Sequence, residues 1–512
     1  MIAELLARRA AETPSQPWLS MLEGQDVRMF TFGEAWAETQ RYAAALRRLG
    51  VVESTLVALA PRNTPTDVLM LLGALTLGAR VWMVAPDDPP ERQGRQLAAR
   101  RPEVLLGALS GATPLPRASA TDAQGVRPVA IGQDAPAFMF NTSGSTGVPK
   151  AVVQSHRAVI ANARSFTIHH ELRAGRMVLG FLPLHHVNAV HSNLMSTLWA
   201  GAECFLLRPD SLLRLNRWIE SSQPYMVSLV PSAADALITL WRRPAVPSSL
   251  HHVLTAASPL SARIAREFHS RFMVPIIQGY GLSETTNFST TVPINLDETT
   301  YARLATDVER PSIGCAIPDV DVSIRDEHGD GLPHGEIGEL WVRGRHLMSG
   351  YDDDPGATAE VMTDGWFRTG DLGYARSLPG TPPMHYLTGR LKNVAKVKGE
   401  QIALEEIENA LASLPGVRDA VCASEPDDRD GERIVAGVVL DPGASVAELR
   451  IGLHAILPTF GMPSRITQVD RVPRSPTGKI LRTDSLVVLN RAAEAGPPAP
   501  APSERQAARP PM

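Results

Sequence analysis

Between residues 56 and 277 the chain repeats one pattern, a short apolar run followed by a helical stretch, and few architectures accommodate it. Residues 56–60 read as a strand, 66–77 as a buried helix and 79–84 as a strand, which together make a βαβ unit. Further strands are expected at 177–181, 204–207, 226–230, 252–256 and 274–277, with helices such as 232–241 and 261–272 between them. This is an α/β pattern. Upstream, Thr31-Phe32-Gly33-Glu34 has the form of a capping box, and Trp36, Thr39, Tyr42, Leu46 and Leu49 keep helical spacing until Gly50. After about residue 315 the pattern changes to strands without helices, at 320–324 and 338–342, punctuated by the turn His328-Gly329-Asp330-Gly331. An antiparallel sheet or small barrel is expected there. From 392 to 487 a helix at 403–414, strands at 417–423 and 434–440 and a helix near 446–456 suggest a small α+β domain. The expected organisation is a large N-terminal domain over 1–391, a small domain over 392–487 and a disordered Pro/Ala-rich tail over 488–512. Six prolines fall in the last sixteen residues.

Length and charge narrow the function. A chain of 512 residues holds one large and one small domain, or about three domain-sized units. Fifty Lys+Arg against 54 Asp+Glu leave a formal charge of -4, which supports neither a nucleic-acid nor an anionic-membrane partner. The most apolar window, 69–77, is far short of a membrane span, and the mixed charges of the first ten residues do not make a secretory signal. Cys204, Cys315 and Cys422 lie far apart without metal or disulfide spacing, so a reducing cytoplasm is the expected location.

The stretch Asn141-Thr142-Ser143-Gly144-Ser145-Thr146-Gly147-Val148-Pro149-Lys150 carries the first chemistry. Its hydroxyls and unhindered N–H groups can cradle phosphate oxygens, with Lys150 adding charge. A Walker A loop is disfavoured, because Val148 and Pro149 separate Gly147 from Lys150 and Ala151 follows. Taken alone, the stretch also reads as an ordinary Gly/Ser/Thr surface loop.

Further motifs follow in order: Phe181-Leu182-Pro183-Leu184-His185-His186, Ala256-Ala257-Ser258-Pro259, Gln278-Gly279-Tyr280-Gly281-Leu282-Ser283-Glu284, Asp364-Gly365-Trp366-Phe367-Arg368-Thr369-Gly370-Asp371, Gly389-Arg390 and Pro473 to Arg482. Together with the loop they resemble the adenylate-forming superfamily, which includes acyl-CoA synthetases, peptide-synthetase adenylation domains and beetle luciferases; an acyl-CoA synthetase is the nearest form. The resemblance implies that Thr142, Ser143, Gly144, Ser145, Thr146, Gly147 and Lys150 hold ATP phosphates. It places His186 at the acyl pocket, and Ala257 in the run that lines the adenine and acyl pockets, where relatives usually carry glycine. Tyr280 would offer a ring face and Gln278 an amide to adenine, and Ser283 a hydroxyl to the α-phosphate. Glu284 would bind Mg2+, which is normally held by a carboxylate, substrate phosphates and water. Asp371 would take ribose, Arg390 would donate to ribose or phosphate, Lys392 would be the pivot of the small domain, and Lys479 would be the catalytic lysine. As single residues Glu284 and Lys479 read as solvated charges, Lys392 equally as a solvated linker lysine, and His185 and His191 as packed histidines.

The implied reaction has two steps. A carboxylate attacks ATP to give an acyl-adenylate and pyrophosphate, and the thiol of coenzyme A then takes the acyl group. Expected cofactors are ATP, Mg2+ and coenzyme A as co-substrate, and the expected partner is a small carboxylic acid. An acyl carrier protein is the alternative acceptor. Amino-acid activation fits less well, since Asn188, near where such relatives place an acidic partner, is uncharged. The identity of the acid and the oligomeric state are not legible.

Overall fold

Strand–helix alternation in the first part of the chain builds sheets with parallel centres. The computed structural model describes residues 1–23, 26–113, 125–142, 150–243, 245–397, 400–427, 431–454, 456–474 and 480–495. The chain divides into two compact units, Met1–Leu387 and Thr388–Met512, against the expected boundary at 391/392.

Three sheets make up the described part of the first unit. The largest runs, in spatial order, Cys315–Ala316, Phe288–Thr291, Ile276–Gly281, His252–Thr255, Met226–Leu229, Met177–Gly180, Glu203–Leu206, Pro17–Glu23 and Asp26–Thr31. Its strands from Ile276–Gly281 to Pro17–Glu23 are parallel. The second sheet has the order Gly350–Tyr351, Ala151–Ser155, Pro136–Asn141, Arg80–Met83, Leu56–Ala60, Val104–Gly107. Leu56–Ala60 is buried at every position, as a parallel strand covered on both faces must be. The capping box forms as expected: Thr31 Oγ1 accepts from Glu34 N–H, and the Glu34 carboxylate accepts from Thr31 N–H at 2.9 Å.

Past residue 315 the chain forms an antiparallel sheet of Val320–Arg325, Gly338–Gly344, Trp366–Arg376 and Met362–Thr363, with Met384–Arg390 also paired to Trp366–Arg376. The strand expected at 274–277 is instead Ile276–Gly281. Antiparallel pairing with Phe288–Thr291 extends it through both motif glycines.

The second unit has its own core, including Leu404, Ile407, Leu411, Ile434, Val438 and Leu453. Helix Leu404–Ser413 packs on a sheet of Glu400–Ala403, Val394–Val397, Gly431–Leu440 and Val417–Asp427, with Arg465–Gln468 added in parallel to Gly431–Leu440. Residues 488–495, expected in a disordered tail, instead end the helix Arg482–Ala495. Leu489 accounts for this, being buried with Ala423, Val435 and Val469. Residues 496–512 lie outside the described residues. Among the described residues no helix is long and apolar enough to cross a membrane.

Candidate active site

Parallel strands gather ligands beyond their carboxyl ends, and the main sheet places its motif residues there. Met177–Gly180 leads to His186, His252–Thr255 leads to Ala257, and Ile276–Gly281 carries Gln278 and Tyr280 and leads to Ser283 and Glu284. The other two sheets contribute Lys150, which enters the strand Ala151–Ser155, and Asp371, within Trp366–Arg376.

The turn after Ile276–Gly281 is tightly constrained. A Cβ on Gly279 would lie 2.4 Å from the Phe288 ring, and one on Gly281 would lie 1.7 Å from the Asn287 carbonyl oxygen. Glycine is therefore demanded by close approach of the returning strand. Thr285 Oγ1 accepts from Leu282 N–H and donates to the Asn287 carbonyl. Thr286 has φ +61°, a strained conformation for a β-branched residue, and its hydroxyl donates to the His346 carbonyl at 2.6 Å. From the neighbouring sheet, Gln154 Nε2 donates to the Ser283 and Thr286 carbonyls at 2.9 and 3.3 Å. His191 Nε2 donates in turn to Gln154 Oε1 at 2.8 Å. Burial pushes the His191 imidazole down to about 3, so it is a neutral, packed histidine between Phe138 and Phe140.

Glu284 Oε1 accepts from the Tyr351 hydroxyl at 3.0 Å, and Lys150 Nζ sits 4.9 Å from the centre of the Tyr351 ring. Burial, and then the Glu284 carboxylate, push the Tyr351 hydroxyl up, keeping it a donor. Tyr280, packed with Ile313, Ile324, Leu340 and Ala375, donates its hydroxyl to Asp371 Oδ2 at 2.8 Å. The stem of the phosphate-loop candidate is closed by Thr142 N–H donating to the Lys150 carbonyl at 2.8 Å. Lys150 and Glu284 thus meet through Tyr351, and Tyr280 meets Asp371 directly.

Other expected residues have different surroundings. Gln278 Oε1 accepts from Leu260 N–H at 3.0 Å, so that oxygen holds down the turn bearing Ala256 and Ala257. His186 is half-buried, its ring 4.2 Å from that of His185. Burial pushes His185 down to about 4. A π-helical segment, Ala189–Met195, follows directly. Ser143, Gly144, Ser145, Thr146, Gly147 and Lys479 lie outside the described residues. Arg390 and Lys392 belong to the second unit, where a Cβ on Gly389 would lie 2.5 Å from Ala403 Cβ. The residues flanking the Lys479 segment, Arg474 and Ile480, are bridged antiparallel. Arg482 just beyond is anchored to Glu405 and Glu408, and Asn393 shares Glu405 Oε1 at 2.6 Å. Sequence reasoning missed Tyr351 and Gln154. A lone glutamine in the apolar strand Ala151–Ser155 was a readable signal for Gln154, whereas nothing local marks Tyr351.

Ala257 has φ +73°, in the left-handed region that favours glycine, and its methyl is exposed. Relieving that strain outweighs the added freedom of the unfolded chain. Ala257→Gly is expected to stabilise the protein by roughly 0.5–1 kcal/mol. A thermal midpoint that falls, rather than rises, would contradict this.

As for a metal, no group of three or more His, Cys, Asp or Glu among the described residues is placed to hold one. Glu284 is a single hydrogen-bonded carboxylate, and Lys150 is a neighbouring cation of the kind that meets phosphate. This donor set fits an ion whose remaining ligands are nucleotide oxygens and water, the habit of Mg2+.

The family model "AMP-binding enzyme" matches residues 6–352, and "AMP-binding enzyme C-terminal domain" matches residues 406–479. A 4-coumarate–CoA ligase of Oryza sativa subsp. japonica is 27% identical, over 94% of this chain and 91% of its own. A sulfoacetate–CoA ligase of Cupriavidus necator is 28% identical, over 96% and 98%. The solved structure of o-succinylbenzoate coenzyme A synthetase from Bacillus subtilis, in complex with ATP and magnesium ion, superposes with a TM-score of 0.81 at 23% identity, over 94% of this chain and 99% of that one. At that identity the structural likeness establishes the fold.

Proposed function

We propose, from the premise that this chain belongs to the AMP-binding enzyme family, that it is an AMP-forming acid–thiol ligase: it activates a carboxylic acid with ATP and passes the acyl group to coenzyme A. The observation that carries the reading is the pair of contact groups Lys150–Tyr351–Glu284 and Tyr280–Asp371, drawn from three sheets. It supplies what adenylation needs, a cation and a hard oxygen ligand for a triphosphate beside a second carboxylate able to accept from vicinal ribose hydroxyls.

The first step is an electrostatic problem, since a carboxylate must approach a polyanion and pyrophosphate must leave. Lys150 and the Thr142 end of its loop would hold phosphate oxygens, Ser283 the α-phosphate, and Asp371 the ribose. Glu284 would hold Mg2+, which when bound neutralises phosphate charge. The turn that carries Ser283 and Glu284 is clamped by Gln154 and Thr286, so these groups need little reorganisation on binding. His186 and Ala257, beyond neighbouring strand ends, would border the acyl group. The second unit would contribute Arg390, Lys392 as the pivot and Lys479 as the catalytic amine, followed by the thiol step. A cytoplasmic location is proposed because Cys204, Cys315 and Cys422 are all free thiols.

The test is ATP–pyrophosphate exchange dependent on an added carboxylic acid, followed by thioester formation with coenzyme A. A first panel takes 4-coumarate, sulfoacetate and o-succinylbenzoate, the acids named for the relatives. Exchange with at least one acid of a wider panel is expected, with coenzyme A as acceptor. ATP binding without exchange for any acid would make the chain a nucleotide-binding regulator. Exchange with transfer only to a purified acyl carrier protein would make it a carrier-loading ligase.

A further inference from the structure

Lys150 and Glu284 carry opposite charges and touch the same side chain, one at the face of the Tyr351 ring and the other at its hydroxyl. Among the described residues neither has an ion-pair partner, and they make no ion pair with each other. Opposite charges that reach the same side chain attract each other. Here such a pair would withdraw a cation from the phosphates and a ligand from the metal together. The aromatic face offers the ammonium a weaker resting place that a phosphate easily displaces. The hydroxyl fixes one carboxylate oxygen, as hydrogen-bond partners of metal ligands do.

Backbone contacts hold this ring firmly in place. Tyr351 pairs antiparallel with Val152, two residues after Lys150. The Tyr351 N–H donates to Thr358 Oγ1 at 2.9 Å, and the flanking Ser349 and Asp352 N–H groups donate to the Val153 and Ala151 carbonyls, each at 2.8 Å. Met348 N–H donates to the Glu284 backbone carbonyl at 2.8 Å. One short segment thus registers the outgoing end of the phosphate-loop candidate against the Glu284 turn.

We propose that Tyr351 is a positioning residue that keeps Lys150 and Glu284 adjacent but unpaired, so that both charges remain available to an incoming triphosphate and its metal ion. The inference rests on the reading of Lys150 as a phosphate ligand and Glu284 as the metal ligand. It predicts two separable effects: the hydroxyl governs metal dependence, and the ring governs metal-free nucleotide affinity.

The test is calorimetric binding of adenosine 5′-(β,γ-methylene)triphosphate to the full chain, in EDTA and across a range of Mg2+ concentrations. Tyr351→Phe keeps the ring, so metal-free affinity stays within about twofold of wild type, while the Mg2+ concentration for half effect rises about tenfold. Tyr351→Leu frees Lys150 to pair with Glu284, and metal-free affinity falls about fivefold. Adding Glu284→Gln to Tyr351→Leu removes the competing carboxylate and restores metal-free affinity to within about twofold of Glu284→Gln alone. A ring that served packing alone would not be compensated by deleting a carboxylate. Failure of that rescue, or unaltered Mg2+ dependence in Tyr351→Phe, overturns the proposal. If Lys150→Ala leaves metal-free affinity intact and Glu284→Gln leaves Mg2+ dependence intact, the underlying assignment of the site fails instead.

Discussion

Lys479→Ala is expected to slow acyl-adenylate formation by about 10²–10³-fold, the cost of losing one strong donor to developing transition-state charge. Thioester formation from supplied acyl-adenylate falls much less, because the pyrophosphate has already gone when that step begins. The expectation comes from the motif Pro473 to Arg482, which resembles the terminal lysine motif of the family, and the C-terminal family model matches through residue 479. The ends of the segment are fixed within the second unit by the Arg474–Ile480 bridge and by Arg482 on Glu405 and Glu408. Removing the lysine side chain leaves these supports in place, so the thermal midpoint stays near that of wild type. The two steps separate experimentally as ATP–pyrophosphate exchange and single-turnover transfer from synthetic acyl-adenylate. Equal losses in both would reject a division of labour between them.

Gly281→Ala should be the most damaging single-methyl change at the site. Its Cβ would lie 1.7 Å from the Asn287 carbonyl oxygen and 2.8 Å from Phe288 Cα, both backbone atoms of the returning strand. No side-chain rotation relieves that overlap. The hairpin between Ile276–Gly281 and Phe288–Thr291 must open, at a cost of roughly 3 kcal/mol. The turn between those strands carries Ser283 and Glu284, so binding of Mg2+ and ATP should fail along with stability. The paired measurements are the thermal midpoint of the first unit and calorimetric nucleotide binding. A variant that melts and binds ATP like wild type would show that the two strands can separate without cost.

The two variants probe different kinds of knowledge. The Lys479 expectation was legible in the sequence, because a motif states which residue types occur together. The Gly281 expectation was not, since the motif shows a glycine without showing the Asn287 carbonyl that requires it. Gln278 makes the same point: the motif suggested an amide facing adenine, yet its oxygen is engaged by Leu260 N–H. The end of the chain errs in the other direction. Composition suggested disorder from 488, but Leu489 finds a buried place against Ala423 and Val435, and the helix runs on to Ala495.

By itself the sequence determined the α/β alternation, the change to antiparallel strands after residue 315, the small C-terminal unit and the order of the motifs that name the candidate site, because periodicity and motif order are local properties of the chain. Tertiary structure alone decided that Tyr351 meets Glu284 across 67 residues of chain with Lys150 at its ring face, that Tyr280 meets Asp371 across 91, and that Ala257 sits in a glycine conformation. The physical reason is that a hydrogen bond, a ring face and a strained dihedral are set by what the fold brings alongside a residue. Its sequence neighbours carry no record of that.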